Sequence, residues 1–179
     1  KGHDFPNITL VGIICADLSL NFPDFRAGER TFQLLAQVSG RAGRGDTAGK
    51  VILQTYNPDH FSIHAAKAQS FKNFYEKEIE YRNALKYPPF SRMILLRMSG
   101  KNKQKTEQFA RALGDISRAM KPRRQTGNGG VEVLGPITAP VSKIAERFRW
   151  QILLKSPNAG ALHQFAHQLV FESRSITDR

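Results

Sequence analysis

The stretch Gln37-Val-Ser-Gly-Arg-Ala-Gly-Arg-Gly45 sets two arginines three residues apart in a glycine-rich turn, directly after an apolar helical run. Glycines permit a sharp turn and close backbone approach, and a guanidinium fork suits phosphate oxygens better than a lysine point charge. A solvated Gly/Arg loop is the alternative these nine residues leave open. The neighbours on either side decide the local fold. Ile8 to Ala16 is a nearly continuous β-branched run, read as a strand buried on both faces and ended by Asp17. Leu18 to Phe25, broken by Pro23, reads as a loop, and Glu29 to Ser39 spaces Phe32, Leu35, Ala36 and Val38 helically up to a stop at Gly40. Lys50-Val-Ile-Leu-Gln-Thr-Tyr56 follows as a second strand. Strand, helix and strand make a βαβ unit, and such sheets bind ligands outside the carboxyl ends of their strands.

Composition narrows the classes. The chain has 179 residues, room for one domain or two small ones, and 40% hydrophobic content, which suffices for a core. Its single cysteine, Cys15, sits in an apolar run, so a disulfide framework or a cysteine zinc site within the chain is excluded and a reducing compartment is expected. No apolar run reaches membrane-span length, and Lys1-Gly-His-Asp-Phe5 does not read as a signal peptide. The absence of a starting methionine reads as a fragment. Of the 27 basic and 15 acidic residues, six of each fall in residues 1–66, so the whole net charge of +12 belongs to 67–179. A positive excess confined to one half is the footprint of a polyanion partner, nucleic acid first, with a basic solvated surface as the alternative.

In that second half, Phe61 to Arg82 shows a helical pattern with an aromatic stripe that reads as packing, and Glu76, Glu78 and Glu80 interrupt its positive charge. Pro88-Pro89 marks a boundary, which gives a helical linker over 67–90 and a basic domain over 91–179. Arg92 to Met98 reads as a strand, and Lys103 to Met120 as a helix with Phe109, Ala112, Leu113, Ile116 and Met120 on one face. Lys121 to Gly130 reads as a loop and Val131 to Leu134 as the start of a second strand. In a third strand Phe148, Trp150, Ile152 and Leu154 alternate with Arg147, Arg149, Gln151, Leu153 and Lys155. Ser156-Pro157 then reads as cap and first turn of a helix packing Leu162, Phe165, Ala166 and Leu169. The order βαββα lacks only a last strand to be a split βαβ, ferredoxin-like unit. Alternation puts Trp150 in the core. It leaves Arg147, Arg149 and Lys155 on the opposite face, where, with Lys143, Lys121, Arg123 and Arg124, they form the candidate phosphate-contacting, nucleic-acid-binding surface, solvation of an exposed sheet face being the alternative for some of them.

A resemblance extends these readings. Gln37-x-x-Gly40-Arg41-x-Gly43-Arg44 resembles the sixth conserved motif of superfamily 2 helicases, and Lys1-Gly2-His3-Asp4-Phe5 resembles the end of the fifth. Asp24 to Leu35, Gln54 to His60, Tyr87-Pro-Pro-Phe90 and Arg149 to Lys155 are similar, in order and spacing, to the replication-restart helicases of bacterial primosomes. The resemblance implies that residues 1–66 are the later part of a second RecA-like lobe, followed by a ribosomal S10-type, ferredoxin-like domain. It also implies that Arg41 and Arg44 are catalytic, reaching the ATP γ-phosphate as arginine fingers. Gln37, Gly40 and Asp4 would serve the nucleotide, and Gly2 would touch the DNA backbone.

Further implied are ATP with Mg²⁺ as cofactors of the complete protein, and branched and single-stranded DNA, the single-stranded-DNA-binding protein and other primosome proteins as partners. The setting implied is the bacterial cytoplasm, at the nucleoid. A GxxxxGK[ST] phosphate loop, a magnesium-binding acidic motif and the clustered cysteines that bind zinc in the family are missing here. No metal and no ATPase are therefore expected of this chain alone. The alternative is a non-enzymatic nucleic-acid-binding or ribosome-type adaptor whose Gly/Arg turn merely grips phosphate.

Overall fold

Strands β1 (Leu10–Ile13) and β2 (Lys50–Leu53) pair in parallel, with α1 (Ala27–Ser39) between them in sequence, which is the βαβ order the sequence predicts. The computed structural model describes residues 9–40, 49–120 and 130–177. It forms two compact units, residues 1–84 and 85–179, each with its own core. The fold class is mixed α/β with two sheets.

The first strand departs from expectation. Burial on both faces was predicted, yet Leu10 and Ile52 are exposed, because the packing of this unit gathers on one side of the two-stranded sheet. The apolar run there is a one-faced strand in this chain. On the packed side, Phe32 and Leu35 of α1 meet Ile63, Ala65 and Ala66 of α2 (Phe61–Lys67) and Phe74 of α3 (Phe71–Ala84). The helical pattern of 61–82 is thus two helices, broken where Gln69 adopts a positive φ of 50°. Its aromatic stripe packs as predicted: Phe74 stacks on Phe32 at 4.4 Å between ring centres and on Phe61 at 5.8 Å. Such pairs add about 0.5–1.5 kcal/mol beyond area burial. The boundary between units falls at Ala84/Leu85, so α3 belongs wholly to the first unit's core.

Arg82 joins α3 to α1. Its Nη2 lies 2.8 Å from Glu29 Oε2 and 2.7 Å from Glu78 Oε1, and its guanidinium sits over the Phe25 ring. Burial works against the charged form, but hydrogen bonds to Glu29 and Glu78 more than offset it and hold the pKa above its ordinary value. At the start of α2, the His60 ring nitrogen Nδ1 accepts the Ser62 N–H at 3.2 Å and caps the helix.

In the second unit, β3 (Arg92–Gly100), β4 (Glu132–Ile144) and β5 (Arg147–Ser156) form an antiparallel sheet in the order β3-β5-β4. With α4 (Lys103–Ala119) and α5 (Ala159–Glu172) this is the predicted βαββα order, followed by the short α6 (Arg174–Thr177). Trp150, Ile152 and Leu154 lie in the core with Leu113, Leu162 and Leu169, so the alternation along the third strand assigns its faces correctly. Leu113 of the predicted face of α4 is buried and Phe109, Ile116 and Met120 pack against the core, while the most buried stripe shifts to take in Thr106, Ala110, Gly114 and Ser117. Close approach explains the shift: a Cβ on Gly114 would come within 2.6 Å of Pro136 Cδ on β4. Gly135, at φ 104°, could carry no side chain without strain, and its Cβ would meet the Gln151 carbonyl at 2.9 Å.

One cap differs from prediction. Asn158 is the N-cap of α5, accepting the Ala161 N–H at 2.9 Å, because Ser156 is still paired to Arg92 as the end of β5. Its hydroxyl instead accepts the Asn158 N–H at 3.1 Å.

Arg82→Ala would leave Glu29 and Glu78 without their cation, and a cost of roughly 2–4 kcal/mol is expected. Chemical denaturation followed by hydrogen exchange in residues 27–84 measures it, and a loss near zero would show the triad to be dispensable. Burial, partly countered by Glu78, lowers the His60 pKa below 6.5. A depressed histidine pKa makes its contribution complete above the unfolded value and lost as pH falls through the folded one. The protection factor of the Ser62 amide should therefore fall as pH drops below 6.5, and His60→Asn, which keeps a capping group but cannot titrate there, should abolish that fall.

Candidate nucleic-acid interface

The central strand β5 is hydrogen-bonded on both sides, so its pleat sets the faces of the whole sheet. Trp150, Ile152 and Leu154 point to the helices, and Arg147, Arg149, Gln151, Leu153 and Lys155 to the open face. Register brings Arg97 of β3 opposite Gln151, Ser99 opposite Arg149 and Met93 opposite Lys155.

The predicted cations fall into different environments. Arg147 is exposed, and its guanidinium donates to the Ser99 carbonyl at 2.9 Å and to the Ser99 hydroxyl at 3.3 Å. Arg149 donates to the Val141 carbonyl at 3.5 Å. These acceptors are neutral, so the contacts orient the arginines without cancelling their charge. Among the described residues no carboxylate pairs with either. Lys143 is exposed, pairs with Glu146 at 2.6 Å and sits over the Phe148 ring, which reduces its availability to phosphate.

Lys155 is a correction. It was expected among the phosphate contacts, but it is buried, with Nζ 2.9 Å from Glu132 Oε2 and donating to the Leu85 carbonyl at 3.2 Å. The Tyr87 ring lies 5.6 Å from the same ammonium. Alternation placed it on the right face, but could not reveal that the segment entering β3 folds over that end of the sheet. Its charge is consumed in holding that segment. Conversely, Arg97 was missed. It is exposed on the same face as Arg147 and Arg149, and only the β3–β5 register reveals this.

In the first unit, Gln37 and Gly40 are exposed at the carboxyl end of α1, where the Gly40 N–H donates to Ala36 O at 3.1 Å. The connection beyond Gly40 leads into the amino end of β2. The carboxyl ends of β1 and β2 lead instead to Asp17 and Tyr56, whose N–H donates to Asp17 Oδ2 at 3.2 Å. The carboxyl-end rule thus points to Asp17 and Tyr56 rather than to the residues around Gly40. Gly2, Asp4, Arg41, Arg44, Lys121, Arg123 and Arg124 lie outside the described residues. Among the described residues no three His, Cys, Asp or Glu side chains gather as a metal site, and no helix is long and apolar enough to cross a membrane.

The chain is thus a small parallel α/β unit followed by a basic βαββα unit with an open sheet face. Within it, residues 83–177 match the family described as primosomal protein N C-terminal domain, and the chain belongs to that family. Aligned relatives include a replication restart protein PriA of a Synechocystis species, 45% identical over 158 residues, covering 88% of this chain and 18% of the relative. That of Treponema pallidum is 41% identical over 175 residues, covering 98% of this chain and 26% of the relative. That of Bacillus subtilis is 41% identical over 155 residues, or 87% and 18%. The chain thus spans about a fifth to a quarter of the length of these curated relatives.

Lys155→Ala should destabilise the second unit by about 1–3 kcal/mol, since Glu132 and the Leu85 carbonyl lose their partner. DNA affinity, measured where the variant is folded, should change less than twofold. A large affinity loss with unchanged stability would return Lys155 to the phosphate-binding set.

Proposed function

We propose that this chain is the C-terminal part of an ATP-dependent DNA helicase that restarts stalled replication forks and loads the primosome. Its first unit would be the later part of a second RecA-like lobe, supplying the arginine half of an ATP site, and its second unit a basic, S10-like fork-DNA-binding domain. The observation that carries the reading is the reach of the similarity. The Treponema alignment takes in 175 of the 179 residues, so it includes the Gln37 to Arg44 stretch as well as the basic unit. The relatives are named as replication restart proteins, and the parallel β1–β2 pair joined through α1 is compatible with part of a RecA-like lobe.

In this reading Arg41 and Arg44 stabilise charge developing on the γ-phosphoryl group, and Gln37 couples nucleotide to lobe closure. Gly40 keeps the backbone at the turn free of a side chain, while Asp4 and Gly2 serve the nucleotide and the DNA backbone respectively. The phosphate loop and magnesium ligands come from a lobe outside this sequence, so ATP and Mg²⁺ act only in the complete protein, and zinc would be bound elsewhere in it. Partners are forked and single-stranded DNA, the single-stranded-DNA-binding protein and other primosome components. A non-enzymatic adaptor would account for the basic unit but not for the similarity of the first.

In the complete protein, Arg44→Ala should lower DNA-stimulated ATP turnover by ~10³-fold with DNA affinity largely retained. Steady-state ATPase assays beside DNA-binding titrations test this. Collapse of DNA affinity with turnover intact would move the turn to the DNA site.

A further inference from the structure

We infer that the open face of the β3-β5-β4 sheet is a single-stranded DNA platform, with bases over an aliphatic row and phosphates along an adjoining arginine edge. The inference rests on the DNA-binding reading above and assigns it a strand type and a surface.

Three leucines from three strands share one cross-strand row: Leu95 and Leu134 both stand opposite Leu153. Leu95 is 39% and Leu134 41% exposed, on a sheet whose other face already holds the core. Isolated surface leucines need no explanation, but a row spanning the sheet is a contiguous apolar patch, of the sort that marks a binding surface. On one side the row is bounded by the neutral Lys155–Glu132 pair. On the other come Arg97, Arg149 and Arg147, three cations with no carboxylate partner among the described residues. The face is therefore apolar along its middle and carries three arginines along one side.

That layout fits a polyanion carrying apolar faces on one side. Same-face residues two apart on a strand lie about 6.8 Å from one another, so Arg147 and Arg149 are spaced close to the step between successive phosphates of an extended strand. A duplex hides its base faces in the stack and would leave the leucine row against water. A single strand can lay its bases on that row, and since every base has an apolar face the contact is tolerant of sequence.

The test uses the full 179-residue chain, a fluorescein-labelled oligothymidylate and a blunt duplex of equal length, read by fluorescence anisotropy across a salt series. The single strand should bind at least tenfold more tightly than the duplex. Arg97→Gln and Arg149→Gln should each reduce the slope of log affinity against log salt by ~0.7, the increment for one phosphate contact on a single strand. Leu134→Ser should weaken binding several-fold without altering the slope, and Lys105→Gln, at the start of α4, should change neither. Equal or tighter duplex binding overturns the strand assignment. Steep salt dependence with unchanged slopes in both arginine variants overturns the face while leaving the basic-domain reading intact. Absence of binding to either DNA overturns both. Binding of an acidic, leucine-rich peptide that is lost in the arginine variants, with oligothymidylate unbound, would replace DNA by a protein partner.

Discussion

The second unit depends on the pleat of β5. Because that strand is hydrogen-bonded to β3 on one side and β4 on the other, a one-residue slip would exchange faces along the whole sheet. Trp150, Ile152 and Leu154 would leave the core together, and arginines would enter it. The cost of that exchange fixes the register, and the register in turn aligns Leu95, Leu153 and Leu134 in one row and collects Arg97, Arg147 and Arg149 beyond it. Core and candidate interface are two consequences of the same alternation.

Two opposite uses of a cation follow. In the second unit Lys155 is withdrawn from solvent and neutralised by Glu132, while its strand neighbours keep only neutral partners and so keep their field. In the first unit Arg82 is likewise withdrawn, between Glu29 and Glu78, and ties two helices of an otherwise aromatic core. Positive charge that braces the fold is buried and paired. On the open sheet face Arg97, Arg147 and Arg149 keep no carboxylate partner among the described residues.

Much of this was legible in the sequence, because period-2 and period-3.6 patterns report directly on which side of an element meets the core. The βαβ order, the βαββα order, the aromatic packing of α3 and the core position of Trp150 all follow from local spacing. What spacing could not show was long-range. Lys155 has the same alternation phase as Arg149, and only the return of residues 85–91 over the sheet separates their roles. Arg97 needed the register of a partner strand fifty residues away in sequence. The exposed Leu10 and Ile52 show the complementary limit: an apolar run reveals that a strand can be covered, not what covers it within a given chain. Of the candidate site, the arginine phase of β5 was readable, whereas the residues around Arg41 and Lys121 rest on resemblance and composition.

The two units keep separate hydrophobic cores, one around Phe32 and Phe74 and one around Trp150 and Leu154. Each can lose its packing while the other retains it, so the chain as a whole need not unfold in one cooperative step. A single melting temperature is then not to be assumed for this molecule. The sole tryptophan reports on the second core, and a fluorescence melt would leave the loss of the first unit unseen.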